Sequence, residues 1–138
     1  MAHGATVTEV TVRRDLMKAF RQHLPEALTL RHEDLYTAGI PALSVSHAGK
    51  TSWWEIKYAD PYCKTTRIQQ HTCTQLDTQG FCCRYLVFRR GHNGKWPRQI
   101  RVLAPEDFHC WRHLGIVVST GAFDYVALVD YIKKLHLL

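Results

Sequence analysis

The chain contains no apolar run near the ~20 residues that a membrane-spanning helix requires, so a helical membrane protein is excluded. Residues 1–11 lack the apolar middle of a signal peptide, which predicts a cytoplasmic protein. The five cysteines are odd in number and include no Cys-x-x-Cys pair. They read as reduced thiols and not as a disulfide framework. Cys63, His71, Cys73, Cys82 and Cys83 lie near one another in sequence. Adjacent residues on a strand point to opposite faces, which argues against their sharing a zinc ion. His109 and His113 are four apart but have no third ligand signal, and read as a solvated or half-buried pair. There is no internal repeat, low-complexity segment or linker, so 138 residues form one domain, 1–138. Acid is also scarce. Asp plus Glu number 12 against 18 Lys plus Arg, for a net charge of +6 with nine further histidines. That excess favours a polyanionic partner, nucleic acid first. What is plentiful is apolar surface: 46% of residues are hydrophobic and 22% charged, which excludes a wholly disordered chain.

Hydrophobic periodicity divides the chain into alternating elements. Val12, Leu16, Ala19, Phe20 and Leu24 recur at helical spacing, predicting a helix over residues 11–24 that Pro25 ends. Extended segments follow at residues 27–31, 43–47 and 51–58, the last two forming a hairpin about Ala48-Gly49-Lys50. Asp60-Pro61 breaks the third strand, and a second helix is predicted over residues 65–78, stopped by Gly80. Strands follow at residues 81–90 and 99–103, then a helix start at Ala104-Pro105-Glu106-Asp107, a short strand at 115–119 and a final helix at 122–136. The order predicts an α/β (α+β) domain with one central mixed β-sheet flanked by helices.

In the strand at 51–58, alternation puts Trp53, Glu55 and Lys57 on one face and Trp54, Ile56 and Tyr58 on the other. A carboxylate can hold a hard divalent cation, and the neighbouring ammonium can orient a water or neutralise charge on a phosphate. On its own, Glu-x-Lys also describes a solvated ion pair, worth only ~0–1 kcal/mol. Its surroundings carry more. Gly39-Ile40-Pro41 precedes apolar Leu43 and Val45, and Glu55-Ile56-Lys57 follows in the second strand of the hairpin. A helix bearing Gln69 and Gln70 near its start, then the strand at 81–88, complete the order. Over residues 8–90 this resembles the PD-(D/E)XK nuclease superfamily, and within it the VRR-NUC and Holliday-junction-resolvase-like branch.

The resemblance implies a restriction-endonuclease-like core and Mg²⁺- or Mn²⁺-dependent phosphodiester hydrolysis. It assigns the metal to Glu55, the carbonyl of Ile56 and an auxiliary carboxylate, of which Asp34 is nearest the hairpin. Lys57 would position the attacking water, and Gln69 or Gln70 would approach it from the helix. Glu33, Glu9 and Asp15 are further acids near the site, each more simply a solvated carboxylate. The chain departs from the family at Ala42, which stands where the family's metal-binding aspartate follows proline. With Glu55 and Lys57 intact, an inactivating substitution is favoured over natural loss of the site.

Between Asp77 and Glu106 there is no acidic residue, while Arg84, Arg89, Arg90, Lys95, Arg98 and Arg101 all fall there. This predicts a basic hairpin lying along phosphates, DNA before RNA. The simpler alternative is a solvated edge that blocks aggregation. Val126, Val129, Ile132 and Leu135 of the last helix offer a homodimer surface, or ordinary core packing. Two rivals to the enzyme remain: a non-catalytic nucleic-acid-binding module of the same fold, and a basic protein that binds an acidic partner.

Overall fold

The computed structural model describes residues 8–32 and 39–138. Helix α1 (Glu9–His23) begins at Thr8, whose hydroxyl accepts from the Thr11 N–H, and buries Val12, Leu16, Ala19 and Phe20. Strands β1 (Leu28–Arg31), β2 (Leu43–His47) and β3 (Lys50–Ala59) form an antiparallel meander. The β2–β3 turn holds Ala48 at φ 55° and Gly49 at φ 76°, the two left-handed residues that a two-residue hairpin needs. Helix α2 (Arg67–Thr78) then carries the chain over the sheet to β4 (Cys82–Arg89), which pairs parallel to β3. Strands β5 (Gln99–Leu103) and β6 (Ile116–Thr120) extend the sheet antiparallel, with a 3-10 helix (Pro105–Cys110) between them, and α3 (Tyr125–His136) closes the chain.

The six strands lie in sequence order. The result is an α+β domain whose mixed sheet is flanked by helices on both faces, consistent with a restriction-endonuclease-like core. On one face α1 and α3 meet Trp54, Ile56, Leu86, Phe88, Ile100 and Val102. On the other, α2 and the 3-10 helix meet Cys83, Tyr85, Val87 and Leu103 through Cys73, Phe108 and Trp111. Burying a large apolar side chain contributes ~1.5–3 kcal/mol, so two such layers can hold the sheet from both sides. Among the described residues, no helix is long and apolar enough to cross a membrane. The surface predicted on the last helix is largely used internally: Val129 and Ile132 are core residues and Leu135 packs against them. Val126 alone of those four stays exposed, at 53%.

Candidate functional site

The α2 face of β3 holds the predicted pair. Antiparallel partners share a face, so Ser44, opposite Trp53, lies on the same side as Glu55 and Lys57. On the other flank β4 brings Cys83, Tyr85 and Val87 beside Trp53, Glu55 and Lys57. Next to Trp53, the His32 ring packs at 5.1 Å between centroids, and His32 Nε2 shares a hydrogen bond with Ser44 Oγ at 2.8 Å.

Glu55 and Lys57 are not a solvated pair. They are 3% and 9% exposed, and α2 reaches over this face to Lys57. The Lys57 ammonium donates to Gln69 Oε1 at 2.8 Å. Gln69 is held in turn by the start of its helix: it forms a capping box with Thr66, and its Oε1 also accepts from Thr65 Oγ1. Gln69 thus combines a capping role with contact to Lys57. Gln70 faces elsewhere, accepting from the Tyr85 hydroxyl and donating to the Pro105 carbonyl.

Glu55 has no such support. Its Oε2 is buried without a hydrogen-bond partner among the described residues. Burial pushes its carboxyl up to about 7, with Glu9 adding to the rise and Lys57 and Arg13 opposing it. Glu9, at the first position of α1, therefore reaches the site electrostatically, while Asp15 sits beside Arg14 on the helix exterior.

Backbone direction adds a second oxygen. In a two-residue hairpin the closing pair, here His47 and Lys50, exchanges backbone hydrogen bonds. N–H and C=O directions alternate along a strand, so Lys50, Ser52, Trp54 and then Ile56 aim theirs toward β2. The paired register stops at Leu43 and Trp54. Pro41 and Ala42 lie beyond that register, so the Ile56 carbonyl has no partner in the β2 ladder. The Ala42 carbonyl faces the other way and accepts from His32 N–H at 2.9 Å. Ala42 itself is buried, with its methyl part of the α1 and α3 core.

A hard cation wants several oxygens. The Glu55 carboxylate and the Ile56 carbonyl suit one, but Ala42 has only a methyl, and it packs on the α1 and α3 core and not on the Glu55 face. Asp34 and Glu33 lie outside the described residues. Among the described residues no three His, Cys, Asp or Glu side chains converge as metal ligands. Cys73 and Cys83 meet in the core with their sulfurs 2.6 Å apart.

The β4–β5 hairpin forms as predicted, but its lack of internal acid does not leave it uncompensated. Arg84 pairs with Asp77 of α2 at 2.5 Å, and Arg90 pairs with Asp60 at 3.0 Å. Arg101 donates to the Leu114 carbonyl and to Gln99, and Arg98 lies over the Phe123 ring. Arg84 and Arg90 are thus neutralised by acids that flank the interval, a correction to the uniform basic track. Lys95 and Arg98 stay exposed. Arg89 stacks between Trp96 and Trp111, and Arg112, which no sequence pattern singled out, stacks on Trp111 and Tyr62. Comparison of the chain with models of known protein families, with curated proteins and with solved structures finds no match.

Proposed function

We propose that this domain is a nucleic-acid phosphodiesterase of the PD-(D/E)XK plan, with cleavage switched off in the present chain by Ala42. The supporting observation is the buried Glu55 carboxylate, whose Oε2 has no partner among the described residues, two positions from a lysine held by Gln69. A surface ion pair needs neither burial nor such a support. Bound between Glu55, the Ile56 carbonyl and a carboxylate at position 42, Mg²⁺ or Mn²⁺ would supply Lewis-acid polarisation of the scissile phosphate and of water. Lys57 keeps ammonium protons to orient that water or to meet a phosphate oxygen, since Gln69 accepts only one of its three. With Ala42 the chain retains binding and lacks turnover, so the non-catalytic module describes its present behaviour.

The test is Ala42→Asp, folded and incubated with Mg²⁺ or Mn²⁺ on single-stranded, duplex and branched DNA and on RNA. Metal-dependent cutting that chelator stops and Glu55→Gln abolishes is expected. If none of these substrates is cut by the folded variant, the enzyme reading fails.

A further inference from the structure

Beside the site, cations and rings alternate across three loops. The Arg89 guanidinium carbon lies 4.4 Å from the Trp96 ring centre and 5.4 Å from that of Trp111. Arg112 lies 4.5 Å from the same Trp111 ring and 5.1 Å from Tyr62. The order is therefore Trp96, Arg89, Trp111, Arg112, Tyr62. The inner members bind the structure together, since Trp111 is buried. Of the outer two, Trp96 is half-buried and donates its Nε1–H to the Arg90 carbonyl, while Tyr62 is 68% exposed, and a cavity of about 510 Å³ opens among Pro61, Tyr62, His92, Lys95, Trp96 and Arg112.

The charge here is unbalanced. Neither Arg89 nor Arg112 has a carboxylate partner among the described residues, and Arg89 Nε is buried with no hydrogen-bond partner. Burial, then repulsion from Arg112 and Arg101, holds the Arg89 guanidinium below its ordinary range. Cations kept together against repulsion favour an anion. The exposed Tyr62 ring and the half-buried Trp96 ring that line the cavity narrow its identity. An unpaired base offers a π face to Tyr or Trp while its phosphate meets Arg or Lys. A duplex hides its base faces and can use only the cations. The Cys63 thiol feels both Lys57 and Arg112, so this end of the stack borders the Glu55 and Lys57 face.

We propose that Tyr62, Trp96, Arg112 and Lys95 form a binding site for an unpaired nucleotide of single-stranded nucleic acid. The inference rests on the nucleic-acid reading above and specifies the form of the substrate. Tyr62 and Trp96 take the base, and Arg112 and Lys95 take the flanking phosphates.

The experiment is fluorescence anisotropy with the chain as it stands and four labelled probes of equal length: oligo-dT, oligo-rU, an abasic strand and a duplex. At least one of dT and rU should bind roughly tenfold tighter than the abasic strand and the duplex, and the stronger of the two identifies DNA or RNA. Tyr62→Ala should remove most of that advantage while leaving abasic binding unchanged, and Tyr62→Phe should restore it. Arg112→Gln should weaken all four probes and flatten their salt dependence. Equal binding of abasic and base-bearing strands, or full affinity in Tyr62→Ala, overturns the site and leaves the cleavage test of Ala42→Asp standing. Failure of all four probes to bind removes both readings.

Discussion

Replacing Glu55 by Gln should stabilise the protein at alkaline pH and do so progressively as pH rises. Glu55 is 3% exposed, and its carboxyl is pushed from 4.5 up to about 7, first by burial. At roughly 1.4 kcal/mol per pH unit, the ionised native state carries a cost of about 3 kcal/mol. Below pH 4.5 the group is protonated in both folded and unfolded chains and contributes no difference. Between 4.5 and about 7 the unfolded chain releases its proton first, the native state binds more protons, and stability falls with pH. Above about 7 the whole cost is present. Glutamine cannot ionise and avoids that loss. Urea denaturation of parent and variant in the presence of chelator, from pH 4.5 to 8, measures the difference by linear extrapolation. The nine histidines are common to both proteins and cancel. The stability difference should move by about 3 kcal/mol in favour of Gln across that range. A difference that stays flat with pH, or that grows against Gln, would mean that the ionised carboxylate is well satisfied, and the reasoning would be wrong.

Gly39→Ala should cost roughly 2–4 kcal/mol, because Gly39 sits at φ 90° and a Cβ there would lie 2.9 Å from the Ile68 carbonyl oxygen, in the first turn of α2. Denaturation checks the loss, and a change below about 0.5 kcal/mol would show that the loop and α2 can separate freely. Ala48→Asn should stabilise by about 0.5–1 kcal/mol, since Ala48 is exposed at φ 55° and Asn tolerates the left-handed turn position better. Its midpoint in the same assay should rise with an unchanged slope.

Local chemistry was legible where a short signal decides the backbone. Strands β2 and β5 match their predicted bounds, and both hairpins follow from turn residues. The start of α2 moved from Thr65 to Arg67 because Thr66 and Gln69 form a capping box, a signal present in the sequence as Thr-x-x-Gln. Alternation placed Glu55 and Lys57 on a common face but carried nothing about whether that face is covered. Part of that cover comes from α2, whose Gln69 meets Lys57 from 12 residues away. The basic interval is compensated from outside its own bounds at Arg84 and Arg90 for the same reason: distance in sequence is not distance in space. Asp60 reaches Arg90 from 30 residues away. Arg112 lay outside the interval and was missed, though its neighbour Trp111 follows a helix start that the sequence did mark.

Burial changes what the Glu-x-Lys pair means. As a surface pair, Glu55 and Lys57 would cost little to keep and contribute ~0–1 kcal/mol. As buried groups, they differ sharply from each other. Lys57 is matched by Gln69 Oε1, whereas Glu55 Oε2 is matched by nothing among the described residues. A partner for Glu55 would therefore have to be an electrophile or a donor from outside the described set. Ala42 occupies the adjoining position with the smallest side chain that still packs on the α1 and α3 core. An aspartate turned from there toward the Glu55 face would put a second carboxylate near a first that is already held up to about 7, and two such groups disfavour each other's charge. A cation between them, or one proton shared by the two, relieves both. With alanine at position 42 the chain is spared that repulsion, and burial alone leaves Glu55 holding its proton up to about pH 7.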